Sequence, residues 1–415
     1  MSAAGVAESL SVQAESSRER DFQLVAAAVA LNIVGYPLAA AAAEILVGFE
    51  QSRLITIPFR IIVLVVSLLL IIRTFDFSRP IRALPFWAPW YGFWLAYIGR
   101  LIIDALYNAD KLRLPPSEYF SFAVAASFIP AISLGALGAK AWDGRLPRLL
   151  LWVAALGLIA NLALLMDSKY LAAPEVLLSA RLETKTLNAI SFGHLAVSVI
   201  ILGVWTLATA RLNVSGRLLI AGALTAALAA LVVTSSRGPA LSLLAVALAF
   251  AVAKPGLGLY AALISIVMVG FATLAVSGAS PLLLDRLTSG LFEDTERQRL
   301  LAQAFDLISR NPLLGAGVDP IESYPHNLVV ESVLVNGVLF GAVFICLLTM
   351  SLYCCFSLLR RTRVAWLPAL FLQNFVGAMF SGNLYASTTF WCLMAAVVSA
   401  YVAREQQLQA TERLG

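Results

Sequence analysis

The sequence predicts an all-α, polytopic membrane protein with about twelve transmembrane helices and a partly helical loop on its outer side. Three observations carry this. The 415 residues are 60% hydrophobic and 13% charged, and their mean hydropathy is +0.86, a balance foreign to soluble domains. Apolar runs of about twenty residues, enough to cross a bilayer core as helices, recur along the chain. Basic residues are also shared unequally between alternate short connections, as the positive-inside rule requires.

Residues 1–21 are polar and carry neither an apolar stretch nor a small-residue cleavage site, so they read as an inner tail rather than a cleaved signal. Nine apolar runs follow within 22–277, at 23–48, 54–72, 86–107, 117–139, 148–166, 189–210, 217–234, 239–253 and 258–277. A polar stretch, 278–326, interrupts them. Three more runs, 327–358, 363–380 and 389–403, complete the segment 327–403, and 404–415 form a second inner tail. The inner connections then hold Arg73, Arg79, Arg82, Lys140, Arg145, Arg148, Arg211, Arg217, Lys254, Arg360, Arg361 and Arg363. Only Arg53, Lys111, Arg113 and Arg237 fall in the short outer ones. Both termini are therefore expected inside, with loops 167–188 and 278–326 outside.

The four cysteines lie in apolar runs without ligand spacing, which makes them packing residues and predicts no metal site or cofactor. A net charge of +5 indicates no nucleic-acid partner. Charges inside spans are costly and mark function by default. Glu44, Arg60, Arg100, Asp104, His194 and Glu331 all fall in the outer halves of their runs. That segregation implies a polar cavity opening outward, although Arg100 and Asp104 can neutralise each other across one helical turn. A transporter would show two similar halves with broken helices near the midplane. Pro37 and Pro130 do not fall at matching positions, so transport ranks second.

Within the outer loop, Thr295-Glu-Arg-Gln298 forms a capping box that predicts a helix to about Ser309, ended by Asn311-Pro312. Leu301, Ala304, Phe305 and Ile308 make its apolar face, with Arg297 in the inward stripe. Arg299, Gln303, Asp306 and Arg310 make the solvated face. Arg297 is therefore favoured for function over Arg299. Gly315 and Gly317 allow a tight turn, and His326, one of two histidines, stands where the chain returns to the bilayer. Thr234-Ser-Ser-Arg-Gly-Pro239 sets Arg237 beside hydroxyls at a reversal. Guanidinium forks match phosphate oxygens, so two arginines from different elements suit a leaving lipid diphosphate. A histidine suits removal of a proton from an attacking hydroxyl.

The order Arg297-x3-Leu301, Asn311-Pro312-x2-Gly315-x-Gly317, His326-Asn327, Glu331 and Gly337 resembles the carboxyl-terminal signature of the O-antigen ligase and polymerase family, and Ser236-Arg237-Gly238 resembles its shorter arginine motif. Leu301 departs from the tryptophan many members have. The resemblance covers about residues 181–345. It implies a metal-independent, inverting glycosyltransferase of the bacterial inner membrane, with a periplasmic site. Its donor would be an undecaprenyl-diphosphate-linked glycan and its acceptor a lipid A-core or another glycan. Carried onto this sequence, Arg237, Arg297 and His326 are the catalytic candidates, the arginines on the diphosphate and His326 as base. Arg181, Arg286, Arg299, His194 and Arg100 are the substrate-binding candidates. A ligase is favoured by the compact outer loops; a polymerase remains the alternative, with an Arg299-x15-Gly315 spacing in its favour.

Overall fold

A computed structural model describes residues 19–74, 84–137, 142, 144–165, 183–234, 236–253, 295–360 and 364–412. They are 84% helical, with no strand among them. In chain order the helices are α1 (Glu19–Val47), α2 (Arg53–Thr74), α3 (Leu84–Tyr107), α4 (Pro116–Gly135), α5 (Leu146–Leu165) and α6 (Ala189–Thr209). There follow α7 (Val214–Val233), α8 (Arg237–Ala253), α9 (Thr295–Arg310), α10 (Leu328–Leu359), α11 (Trp366–Ser381) and α12 (Thr388–Glu412). Every predicted run meets a helix except 258–277, which lies outside the described residues.

Seven of these helices, α1, α2, α4, α5, α6, α7 and α10, are long and apolar enough to cross a membrane. The expected twelve are not reached on that measure, for identifiable reasons. α8 and α11 are 17 and 16 residues long. α3 owes its lower hydropathy to Trp, Tyr and Pro, and α12 ends in charged turns that carry Arg404, Glu405 and Glu412. The chain is a multi-pass membrane protein. The outward face of α2 supports this: Ile57, Ile61, Val65, Leu68 and Ile72 are exposed, an arrangement that water penalises by about 25 cal/mol per Å² and lipid does not.

The centre of the bundle is aromatic. Phe86, Trp90, Phe93, Trp94 and Tyr97 recur at three- and four-residue spacing on α3 and are fully buried. They close on Trp391 of α12, with centroids 5.3 Å from Trp90 and 4.8 Å from Trp94, and on Phe344 of α10, 5.3 Å from Phe93. The first half of α12, Phe390–Ala400, is buried almost residue for residue. Rings of this size fix the relative positions of α3, α10 and α12, the three helices that carry the loops described next.

Candidate functional site

The intramembrane charges gather at one end of the bundle. Glu44, on the last turn of α1, accepts from the backbone and side chain of Thr186 (3.0 and 2.8 Å), just before α6. Arg100 and Asp104, on the last turns of α3, pair at 3.1 Å. Glu331, one turn into α10, accepts from the Leu384 N–H at 3.0 Å in the loop before α12. Helices α6, α8, α10 and α12 all begin at this end, and their N-termini add partial positive charge. Asn188 and Asn327 cap α6 and α10.

The outer-loop helix is built almost as its capping box and Asn-Pro stop foretell, over Thr295–Arg310. Its inward face is different. Leu300 and Ala304 are 1% and 0% exposed, whereas Phe305, expected inside, is 58% exposed. Gln303, expected in water, is half-buried. The helix carries two apolar stripes one residue apart, 300/304/307 and 301/305/308. Docking on α10 selects the first, a rotation of about 100°. Arg297 belongs to the chosen stripe by its spacing to 300, 304 and 307, and it is half-buried. Arg299 is exposed and pairs with Glu322 at 3.3 Å; Arg310 pairs with Asp306 at 2.8 Å.

Beyond α9 the chain folds back into α10 through two glycines in the left-handed region. Gly337 (φ +77) interrupts α10, and a Cβ there would stand 2.0 Å from the Leu313 oxygen. Gly315 (φ +70) lies as tightly on Val335. The break frees α10 groups to bond the loop: Val338 N–H donates to the Pro312 oxygen (2.8 Å), and Ala316 N–H to the Leu334 oxygen (2.6 Å). Arg100 fastens the same loop, donating to the oxygens of Leu314 (3.2 Å) and Gly315 (3.4 Å), while Asp104 accepts from Val318 N–H at 2.9 Å. Gly317 leaves room for that pair. Arg100, expected to contact substrate, is thus committed to Asp104 and to loop carbonyls.

The next residues form a polar cluster. Arg113, between α3 and α4, pairs with Asp319 through both its backbone and its guanidinium and donates to the Glu322 oxygen. The Asp319 bond raises its pKa against the opposing effect of burial. The rings of Tyr324 and His326 pack at a tilt of 55°, with centroids 4.3 Å apart. Burial, with the Glu331 charge, raises the Tyr324 pKa, and Arg113 and Arg297 oppose that rise. The Tyr324 phenol therefore packs against His326 and lies within the electrostatic reach of Arg297. Burial pushes the neighbouring Tyr385 phenol up to about 12. Among the described residues His326 alone combines a side chain with positive φ (+52), a strained conformation of the sort that gathers at functional sites. A cavity of 720 Å³ runs beside this loop, lined by Arg100, Lys111, Arg113, Gln303, Asp319 and Glu322 among others.

Arg237 opens α8. A Cβ on its neighbour Gly238 would lie 3.8 Å from His194 Nε2, and Gly377 of α11 takes the His194 ring at closer range still. His194 lines a second cavity, of 420 Å³, with Arg60, Gln373, Asn374 and Asn383. Two π-helical turns, Leu31–Gly35 in α1 and Ser121–Phe128 in α4, form part of its wall. Arg60 stacks over Phe122 at 4.2 Å. Arg181 and Arg286 lie outside the described residues. Among the described residues no group of three His, Cys, Asp or Glu side chains is arranged to hold a metal ion.

Residues 221–345 match the family model described as O-antigen ligase. The match runs from α7 into α10 and takes in Arg237, Arg297, His326, Glu331 and Gly337. It supports the O-antigen ligase family for this chain, and with it a ligase or polymerase type of activity on glycans. No curated protein matches the sequence.

Sequence reasoning missed Arg113, Asp319, Tyr324 and the loop before α12. Arg113 entered only as an outer-loop charge, and its partner lies 206 residues away. No local pattern encodes such a pair. The one available signal was that both fall in polar segments assigned to the same side.

Proposed function

We propose that the chain is a glycan ligase. It transfers an O-antigen-type polysaccharide from undecaprenyl diphosphate to a lipid A-core acceptor on the periplasmic side of the inner membrane. The observation that carries this reading is that His326 packs against Tyr324 while the half-buried Arg297 acts on the same phenol electrostatically, within the segment that matches O-antigen ligase. His326 takes the proton of an acceptor hydroxyl. The freed oxygen attacks the anomeric carbon opposite the diphosphate, whose bond to that carbon breaks. A single displacement inverts the anomeric centre. Arg297 and Arg237 take up the charge growing on the departing polyprenyl diphosphate. Arg100 and Arg113 act one step back: they hold the backbone of 314–322 so that α9 and His326 keep their relation.

Full-length protein supplied with a polyprenyl-diphosphate glycan and lipid A-core should give joined product and free polyprenyl diphosphate, undiminished by a chelator. The new linkage should have inverted configuration by NMR. Product that appears only with a divalent cation, or intact donor crossing a vesicle membrane, would overturn this mechanism. A polymerase differs in its acceptor, and extension of a polyprenyl-linked glycan in preference to lipid A-core would select it. The Arg299-x15-Gly315 spacing gives that alternative little weight, since Arg299 faces Glu322 outside while Gly315 packs on α10.

A further inference from the structure

At the opposite end of the bundle, where α6 and α12 finish and α5 begins, lies the largest of the described cavities, at 1110 Å³. Arg145, Arg148, Arg211 and Arg404 line it, and none of the described lining residues is acidic. Arg145 is held by Glu19 at 3.2 Å and stacks over Phe22. Arg148 and Arg211 are exposed and pair with no carboxylate among the described residues. Trp142, buried in the same wall, has an indole N–H with no acceptor among the described residues. Arginines at helix ends serve orientation by themselves. Orientation does not require them to converge on one cavity beside a buried, unsatisfied donor.

We propose that this cavity binds the phosphate headgroup of an anionic membrane phospholipid. Guanidinium groups supply donors to phosphate oxygens. A basic hollow at a helix end stands at headgroup depth, since the 21 residues of α6 span roughly the 30 Å of a bilayer core. Size favours a lipid over free phosphate: the volume exceeds the roughly 300–1,000 Å³ of small-molecule sites. Apolar neighbours favour it too. Leu149, Trp152 and Leu207, beside the lining residues in sequence, are exposed large apolar side chains over which acyl chains can lie.

Native mass spectrometry of the full-length protein, titrated with phosphatidylglycerol or phosphatidylcholine, reads this directly. Phosphatidylglycerol should be retained in preference, and R148Q/R211Q should weaken its retention by about tenfold or more, the scale set by two surface arginines. Millimolar inorganic phosphate should not displace it. R211Q alone should weaken retention several-fold and serves if the double variant folds poorly. Equal retention of the two lipids, or of phosphatidylglycerol by wild type and both variants, overturns the site. Displacement by inorganic phosphate at equal phosphate concentration overturns the lipid assignment.

Discussion

The two ends of the bundle use arginine in opposite ways. At the α9 end, Arg100, Arg113, Arg299 and Arg310 are tied to Asp104, Asp319, Glu322 and Asp306, and three of the four bind across loops or to backbone oxygens. At the α5 end, Arg148 and Arg211 face an open hollow with no carboxylate among its described lining residues. Charge at the first end is mostly spent on geometry. An ion pair exposed to water contributes little, but a guanidinium that bridges a carboxylate and two loop carbonyls fixes a backbone. Charge at the second end is left for whatever arrives. Counting arginines therefore does not find a catalytic site; the useful question is which of them hold the scaffold.

The largest effect should separate the two histidines. His326→Ala should abolish transfer while the protein still inserts and still binds lipid diphosphate, because Arg297 and Arg237 remain. His194→Ala, wedged against Gly377, should keep measurable transfer. With His326 as base, the wild-type rate should fall as acid protonates the imidazole, since an imidazolium cannot accept a proton. Full transfer by a folded His326→Ala protein would remove the base from the mechanism.

Next in size is the contrast within α9. Arg297→Lys should lower the rate by about 10²–10³, the usual cost of one lost contact to developing charge, because a point charge cannot reproduce the fork. Arg299→Ala, on the side facing Glu322, should cost far less. Steady-state rates that fall equally would sink the assignment of faces.

Gly337→Ala tests the scaffold itself. The new Cβ would press on the Leu313 oxygen at 2.0 Å, at a φ of +77. It should undock 311–317 from α10, seen as faster amide hydrogen exchange across that loop and as lost transfer. Unchanged exchange would mean that the break in α10 does not hold the loop. The smallest effect should come from R148Q/R211Q at the other end, which should leave transfer within about twofold, as for surface changes away from a site. A larger loss would tie the two ends together and break the comparison.

Local patterns settled much of this protein. Apolar runs marked the helices because a bilayer demands about twenty apolar residues per crossing. Asn311-Pro312 marked the end of α9 at Arg310 because a proline acts within a turn. Gly315 and Gly317 were legible as turn glycines, and both take positive φ. What tertiary structure alone decided was orientation and partnership. Hydropathy could not choose between the 300/304 and 301/305 stripes of α9, both apolar; contact with α10 chose. Nor could it reveal that Arg100 belongs to a loop 214 residues away, that Arg113 belongs to Asp319, or that Tyr324 packs against His326. Those relations depend on which helices pack side by side, and the aromatic core of α3, α10 and α12 fixes that.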